Sequence, residues 1–130
     1  MKQKNCYCGS EIFFENCCEP YIKNKKKCTS ALSLMRSRYS AYVTCEIDYL
    51  VETTAPSERK YYSKKDMLEW ASENKWQKLE IIDFSEFTVE FKAYFLDKSS
   101  KLQIHHEKST FVKENDNWYY QDGIFNDDIA

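Results

Sequence analysis

The chain has 130 residues, 42% hydrophobic and 16% aromatic, with only two glycines and two prolines; it is the length of one folded domain with one core and has too few loop-formers to be disordered. Its formal charge is -2, from 19 basic and 21 acidic residues, so overall charge draws it toward neither nucleic acid nor an anionic membrane. No apolar run approaches the roughly 20 residues of a spanning helix, and the start, Met-Lys-Gln-Lys-Asn-Cys, lacks the apolar core of a secretory signal, so a cytoplasmic location is expected.

That location bears on the first element, a cysteine cluster over residues 1 to about 22, because reducing compartments turn clustered cysteines from disulfides toward metal. Cys6-Tyr7-Cys8 and Cys17-Cys18 put two close thiol pairs at the ends of a short loop. Zinc takes four such thiolates in a tetrahedron at about 2.3 Å each. Gly9 lets the chain turn sharply after the first pair, and Ser10 and backbone N–H groups supply donors to the thiolates. The disulfide alternative requires a strained vicinal Cys17–Cys18 bond or an unusual Cys-x-Cys bridge. Four thiolates leave no open coordination position, so the zinc is expected to be structural and not catalytic. Cys28 and Cys45 lack ligand spacing and are expected to be small apolar residues at the start of a helix and just after it.

A lysine-rich connector follows. Residues 1–28 carry Lys2, Lys4, Lys23, Lys25, Lys26 and Lys27 against Glu11, Glu15 and Glu19, leaving this end basic and the remainder acidic. The chain thus divides into a zinc knuckle, residues 1–25, and a main domain, residues 26–130.

Thr29 is placed as N-cap of a helix whose Leu32, Met35, Tyr39 and Tyr42 or Val43 make one apolar face. A shorter helix is expected over about residues 46–53, ended by Pro56, and a third is expected after Ser63, with Asp66 completing a capping-box-like start. From Trp76 the texture turns to β-branched and aromatic residues in alternation, predicting strands over 79–84, 88–96, 102–113 and 118–122. Val89, Phe91, Ala93 and Phe95 share one strand face, and polar breaks at 97–101 and 114–117 have hairpin length. Helices first and an antiparallel sheet second predicts an α+β architecture.

Cys6-x-Cys8-Gly9-Ser10 with Cys17-Cys18 resembles the SEC-C motif, the zinc knuckle named for the C-terminus of the SecA translocation ATPase. Combined with Pro20-Tyr21, Leu34-Met35-Arg36-Ser37-Arg38-Tyr39, Asp48-Tyr49-Leu50, His106-Glu107-Lys108-Ser109-Thr110-Phe111 and Trp118-Tyr119-Tyr120-Gln121-Asp122-Gly123, it is similar to the bacterial YchJ-like proteins. The resemblance implies an NTF2-like cone, helices packed on a curved sheet, a fold that serves enzymes, binders and interaction modules alike. Two departures stand out: Glu11 occupies a place where SEC-C motifs commonly have Gly, and Thr53-Thr54-Ala55-Pro56-Ser57 stands where relatives often carry a histidine.

Three functions follow as expectations. The first is an interaction module, implied by the likeness to a knuckle that docks a partner protein in SecA, using Lys2, Lys4, Lys23, Lys25, Lys26 and Lys27. The second is a small-molecule binder or enzyme with Arg36, Arg38, Tyr39, His106, Glu107, Ser109 and Trp118 as pocket groups, an Arg facing Glu107 being either a structural ion pair or an anion site. His105 and His106 cannot both line one pocket, since neighbours on a strand point to opposite faces. The third, the least favoured, is nucleic-acid binding through the basic knuckle. The only glycines, Gly9 and Gly123, form no P-loop, nucleophile elbow or dinucleotide fingerprint, so the expectation leans away from catalysis.

Overall fold

The computed structural model describes residues 5–125. Pro20 lies in the first turn of the short helix α1 (Glu19–Ile22), where its missing N–H costs nothing. Asn24, at φ 60°, ends that turn as Lys25 N–H returns to Pro20 O at 2.8 Å. The next helix, α2 (Ala31–Val43), is capped by Ser30 and not by its neighbour Thr29. Ser30 Oγ accepts from Ser33 N–H at 3.0 Å and Ser33 Oγ accepts from Ser30 N–H at 3.2 Å, a reciprocal box with serine in the place usually held by Glu or Gln. At its far end Cys45 takes φ 58° while Glu46 N–H reaches Ala41 O at 2.8 Å, so Cys45 fills the left-handed position that closes a helix.

Helix α3 (Ile47–Glu52), a 3-10 turn at Pro56–Tyr61 and helix α4 (Lys64–Glu73) follow, the last capped by Ser63 accepting from Asp66 N–H. Four strands, β1 (Lys75–Phe84), β2 (Thr88–Leu96), β3 (Leu102–Glu114) and β4 (Asn117–Phe125), then form one antiparallel sheet in the order β1-β2-β3-β4. The first strand starts at Lys75 where the sequence pattern suggests 79, and the last runs on to Phe125. Asn115 and Asp116, at φ 52° and 66°, make the two-residue turn whose twist suits a hairpin. Bulges interrupt β1 twice and the β3–β4 pairing between Thr110 and Phe111, and such extra residues bend the strands that carry them.

Val89, Phe91, Ala93 and Phe95 are buried on the inner face of β2. Phe91 pairs with Glu107 and Val89 with Ser109, which carries the same face across to β3. Helix α2 lies along it, and none of its 13 residues is exposed. The end of α3 is stitched to β4, Tyr120 N–H donating to Thr53 O at 2.7 Å and Ala55 N–H to Tyr120 O at 2.8 Å. One apolar cluster runs from Cys6, Cys8 and Cys18 through Leu34 and Leu50 to Val89 and Phe111, so the cysteine segment and the α+β body share a core. No helix among the described residues is long and apolar enough to cross a membrane.

Candidate metal centre and ligand cavity

The cysteine loop is shaped by its backbone. Cys6 N–H donates to Ile12 O at 2.7 Å and Gly9 N–H to Cys6 O at 3.1 Å, and Gly9 turns at φ 85°, a conformation open to glycine without strain. The sulfurs of Cys6, Cys8, Cys17 and Cys18 lie within 4.8 Å of one another, three of the four residues being buried. Cys8 and Cys17 Sγ are 3.7 Å apart and Cys17 and Cys18 Sγ 4.0 Å, well beyond a disulfide bond. A tetrahedron with bonds of about 2.3 Å has edges of about 3.8 Å, so the spacing fits a four-thiolate metal site.

Electrostatics agree with that fit. Donation from Cys18 and Cys6 pulls the Cys8 thiol down. Cys17 is pushed up to about 11, chiefly by burial, and Cys18 is pushed up by its hydrogen bonds to Cys6 and Cys8. Four thiolates this close repel one another, and a cation held among them offsets that charge. Supporting donors surround them: Ser10 Oγ lies 3.1 Å from Cys17 Sγ, Ser40 Oγ 3.5 Å from Cys6 Sγ, and Arg36 Nη1 donates to Cys8 O at 2.8 Å. Arg36, expected in the pocket, is thus committed to the cysteine cluster, because it stands roughly 200° around α2 from Arg38.

Glu11 adopts φ 66° in the position where glycine is common, and a side chain there costs roughly 1 kcal/mol. Glu11→Gly is expected to raise stability by about 0.5 to 1 kcal/mol, read as a higher urea midpoint with unchanged slope; a lower midpoint would show that Glu11 contributes something other than strain. Of the basic residues, Lys2 and Lys4 lie outside the described residues. Lys23, Lys25, Lys26 and Lys27 are exposed just after α1; Lys23 pairs with Glu46 at 3.8 Å and Lys26 lies over the Tyr21 ring at 5.4 Å. Cys28 Sγ sits 3.7 Å from Ser37 Oγ and 3.8 Å from Tyr49 OH, its thiol pushed up by burial, as befits an inert packing residue.

The second feature is a cavity of about 180 Å³ between α2, α4 and the sheet. Tyr39, Tyr42, Trp70, Trp76 and Phe125 wall it, and Arg38, His105, Glu107 and Ser109 project into it. Glu107 is 6% exposed and accepts from Ser109 Oγ at 2.6 Å, His105 Nε2 at 2.7 Å and Tyr120 OH at 2.8 Å. Burial alone would raise its pKa, but donation from His105, Ser109 and Tyr120 outweighs burial and holds it below the usual carboxylate range. Burial, reinforced by the Glu107 charge, pushes the Tyr120 hydroxyl up, so it remains a donor. Gly123 lies directly against this group, and a Cβ there would overlap the Glu107 carboxylate.

Four expected pocket residues, Arg38, Tyr39, Glu107 and Ser109, line the cavity, while Arg36, His106 and Trp118 do not. His106 points to the outer face of the sheet, with Nε2 2.7 Å from Glu90 Oε2, and its neighbour His105 faces inward because it shares parity with Glu107. Trp118 packs on Phe87 at 5.4 Å and borders a separate hollow with Lys27 and Cys28. His105, Tyr120 and the aromatic wall other than Tyr39 were not expected there; the spacing from Ser109 to Glu107 to His105, two residues at a time, is the signal that marks His105.

The family described as "YchJ, middle NTF2-like domain" matches residues 30–123. A UPF0225 protein of Photorhabdus laumondii is 41% identical over 126 residues, 92% of this chain and 79% of that one, and one of Geobacter sulfurreducens is 38% identical over 125 residues, covering 91% and 77%. The solution structure of a SEC-C motif containing protein from Rhodopseudomonas palustris superposes with a TM-score of 0.86 at 35% identity, over 93% of this chain and 98% of that one. A crystal structure of a SEC-C motif containing protein from Psychrobacter arcticus gives a TM-score of 0.77 at 27% identity, over 100% and 86%.

Proposed function

Since the chain belongs to the YchJ-like family, built on the middle NTF2-like domain, we propose that it holds one structural zinc ion at Cys6, Cys8, Cys17 and Cys18 and binds a small organic ligand in the cavity under α2. The observation that carries the ligand reading is a concave, mostly aromatic space into which a few buried polar groups converge, the usual form of a small-molecule site. Zinc is the metal that suits four thiolates in a closed tetrahedron, and its task there is to hold the loop.

The test is a thermal-shift screen of single-ring compounds of every charge, run beside Ala93→Phe, which fills the cavity from its floor. Ala93 is 3% exposed and lines the space. At least one compound is expected to raise the melting temperature of the wild type and not that of the variant. A screen with no stabilising compound sinks the ligand reading.

A second reading, docking of an acidic protein partner by the knuckle, is supported by Tyr7, Ile12 and Phe13, which are 40%, 51% and 40% exposed, and by the exposed lysines that follow α1. Wild type and a Lys23→Glu/Lys25→Glu/Lys27→Glu variant that capture the same partners would remove the basic surface from that role.

A further inference from the structure

We propose that the cavity's ligand is a small planar monocarboxylate, received by the Arg38 guanidinium; this deepens the small-molecule reading and rests on it.

Arg38 is 4% exposed at the middle of α2 and brings a planar guanidinium into the interior. Its hydrogen bonds run from Nη1 to Leu50 O at 2.8 Å, Thr53 Oγ1 at 2.7 Å and Thr54 Oγ1 at 3.5 Å, and it also interacts with the hydroxyl of Tyr42 on the cavity wall. A guanidinium has five N–H donors in a fixed fork, more than Leu50, Thr53, Thr54 and Tyr42 match between them, and the side chain forms part of the cavity wall.

No carboxylate among the described residues comes within 4.0 Å of Arg38. Glu107, the one acid on the cavity wall among those residues, spends its oxygens on His105, Ser109 and Tyr120. Tyr120 stands between the two charges, with the Arg38 guanidinium 4.7 Å from its ring centre and Glu107 at its hydroxyl. The two do not form an ion pair, which leaves the anion-site alternative. Buried cations are normally met by an anion, and the cavity that Arg38 lines is the space in which one could meet it.

Size and shape narrow the class. A cavity near 150 Å³ holds benzene, and at about 180 Å³ this one has room for one ring and a carboxylate. The rings of Tyr42, Trp70 and Trp76 meet edge to face or tilted at 5.0 to 5.9 Å, so a flat ligand finds ring surfaces on which to stack.

Trp70 and Trp76 border the cavity and report on occupancy. Zinc-loaded full-length protein is titrated with benzoate, benzamide and benzylamine by tryptophan fluorescence. Benzoate is expected to bind about tenfold or more tighter than benzamide, and benzylamine weakest, since only the carboxylate offers a charge-assisted fork to Arg38. In Arg38→Met the benzoate preference is expected to vanish; should that variant fail to fold, the wild-type series decides alone. Equal or tighter binding of benzamide or benzylamine overturns the carboxylate assignment while leaving a ligand cavity in place. Silence from all three probes, with a binder found in the broader screen, overturns it likewise, and silence in both experiments removes the ligand reading too.

Discussion

Cys8→Ser is expected to strip the zinc from the chain and lower its melting temperature by roughly 10 to 20 °C, equivalent to about 3 to 5 kcal/mol for a domain of this size. The reason lies in what the cysteine loop touches. Cys8 is 1% exposed, its carbonyl is held by Arg36, and Cys6, Cys8 and Cys18 belong to the same apolar cluster as α2. Structural zinc in small sites is worth on the order of 10 kcal/mol of folding free energy, and where the site is part of the core that energy supports the whole domain. Elemental mass spectrometry for metal content and calorimetry for the transition check both halves. Cys45→Ser, which alters a helix-closing residue outside the cluster, is the matched comparison and should retain about one zinc per chain. If Cys8→Ser lost its zinc yet melted with the wild type, the loop would be a separable appendage; if it kept its zinc, Cys8 would not be a ligand.

Gly123→Ala is the second large effect, from the smallest possible change. Gly123 does not need the left-handed region, since Gly9 is the glycine with positive φ, so its requirement is space and not backbone freedom. An added Cβ overlaps the Glu107 carboxylate and must drive it from its three donors, leaving Ser109, Tyr120 and His105 without their acceptor in a buried place. The cost expected is about 2 to 4 kcal/mol, overpacking and broken buried hydrogen bonds together. In a Glu107→Ala background the overlap disappears, and Gly123→Ala should then be close to neutral, within about 1 kcal/mol, since alanine is better tolerated than glycine inside a strand. Urea unfolding of the four proteins closes this cycle. Additive costs would show that the two residues do not compete for one space.

How far the sequence reads ahead to these sites depends on how local the signal is. The cysteine cluster closes within a dozen or so residues, and its residue types and spacing point directly to it. The order of helices and strands is equally legible, because turn residues such as Asn115-Asp116 and caps such as Ser63 act on their immediate neighbours. Thr29 and Ser30 are both hydroxyl residues, and only the answering Ser33 decides between them. The cavity is harder. On β3, Leu102 and Ile104 share the face of His106, and apolar alternation suggests that this face looks inward. In the fold Leu102 and Ile104 are 58% and 47% exposed, and it is the polar set His105, Glu107 and Ser109 that faces α2. Period-two reasoning selects the apolar face, and here the inner face is polar because it lines a cavity. Arg36 and Arg38 illustrate the same limit on a helix, two arginines two residues apart serving different neighbours on opposite sides of α2.

The central position of α2 has a consequence for how the chain comes into being. The sheet that covers this helix starts at Lys75, so during synthesis from the N-terminus α2 is made well before its partner surface. At roughly 5 to 20 residues per second, several seconds separate the two. During that interval the four thiols, all encoded before α2, are already available to capture a metal, whereas Leu34, Met35 and Tyr39 have no sheet to cover them. Nascent chains stalled before residue 75 should therefore hold the cysteine loop around its ion while exposing an aromatic helix to chaperones, and release of the sheet would withdraw that helix from them.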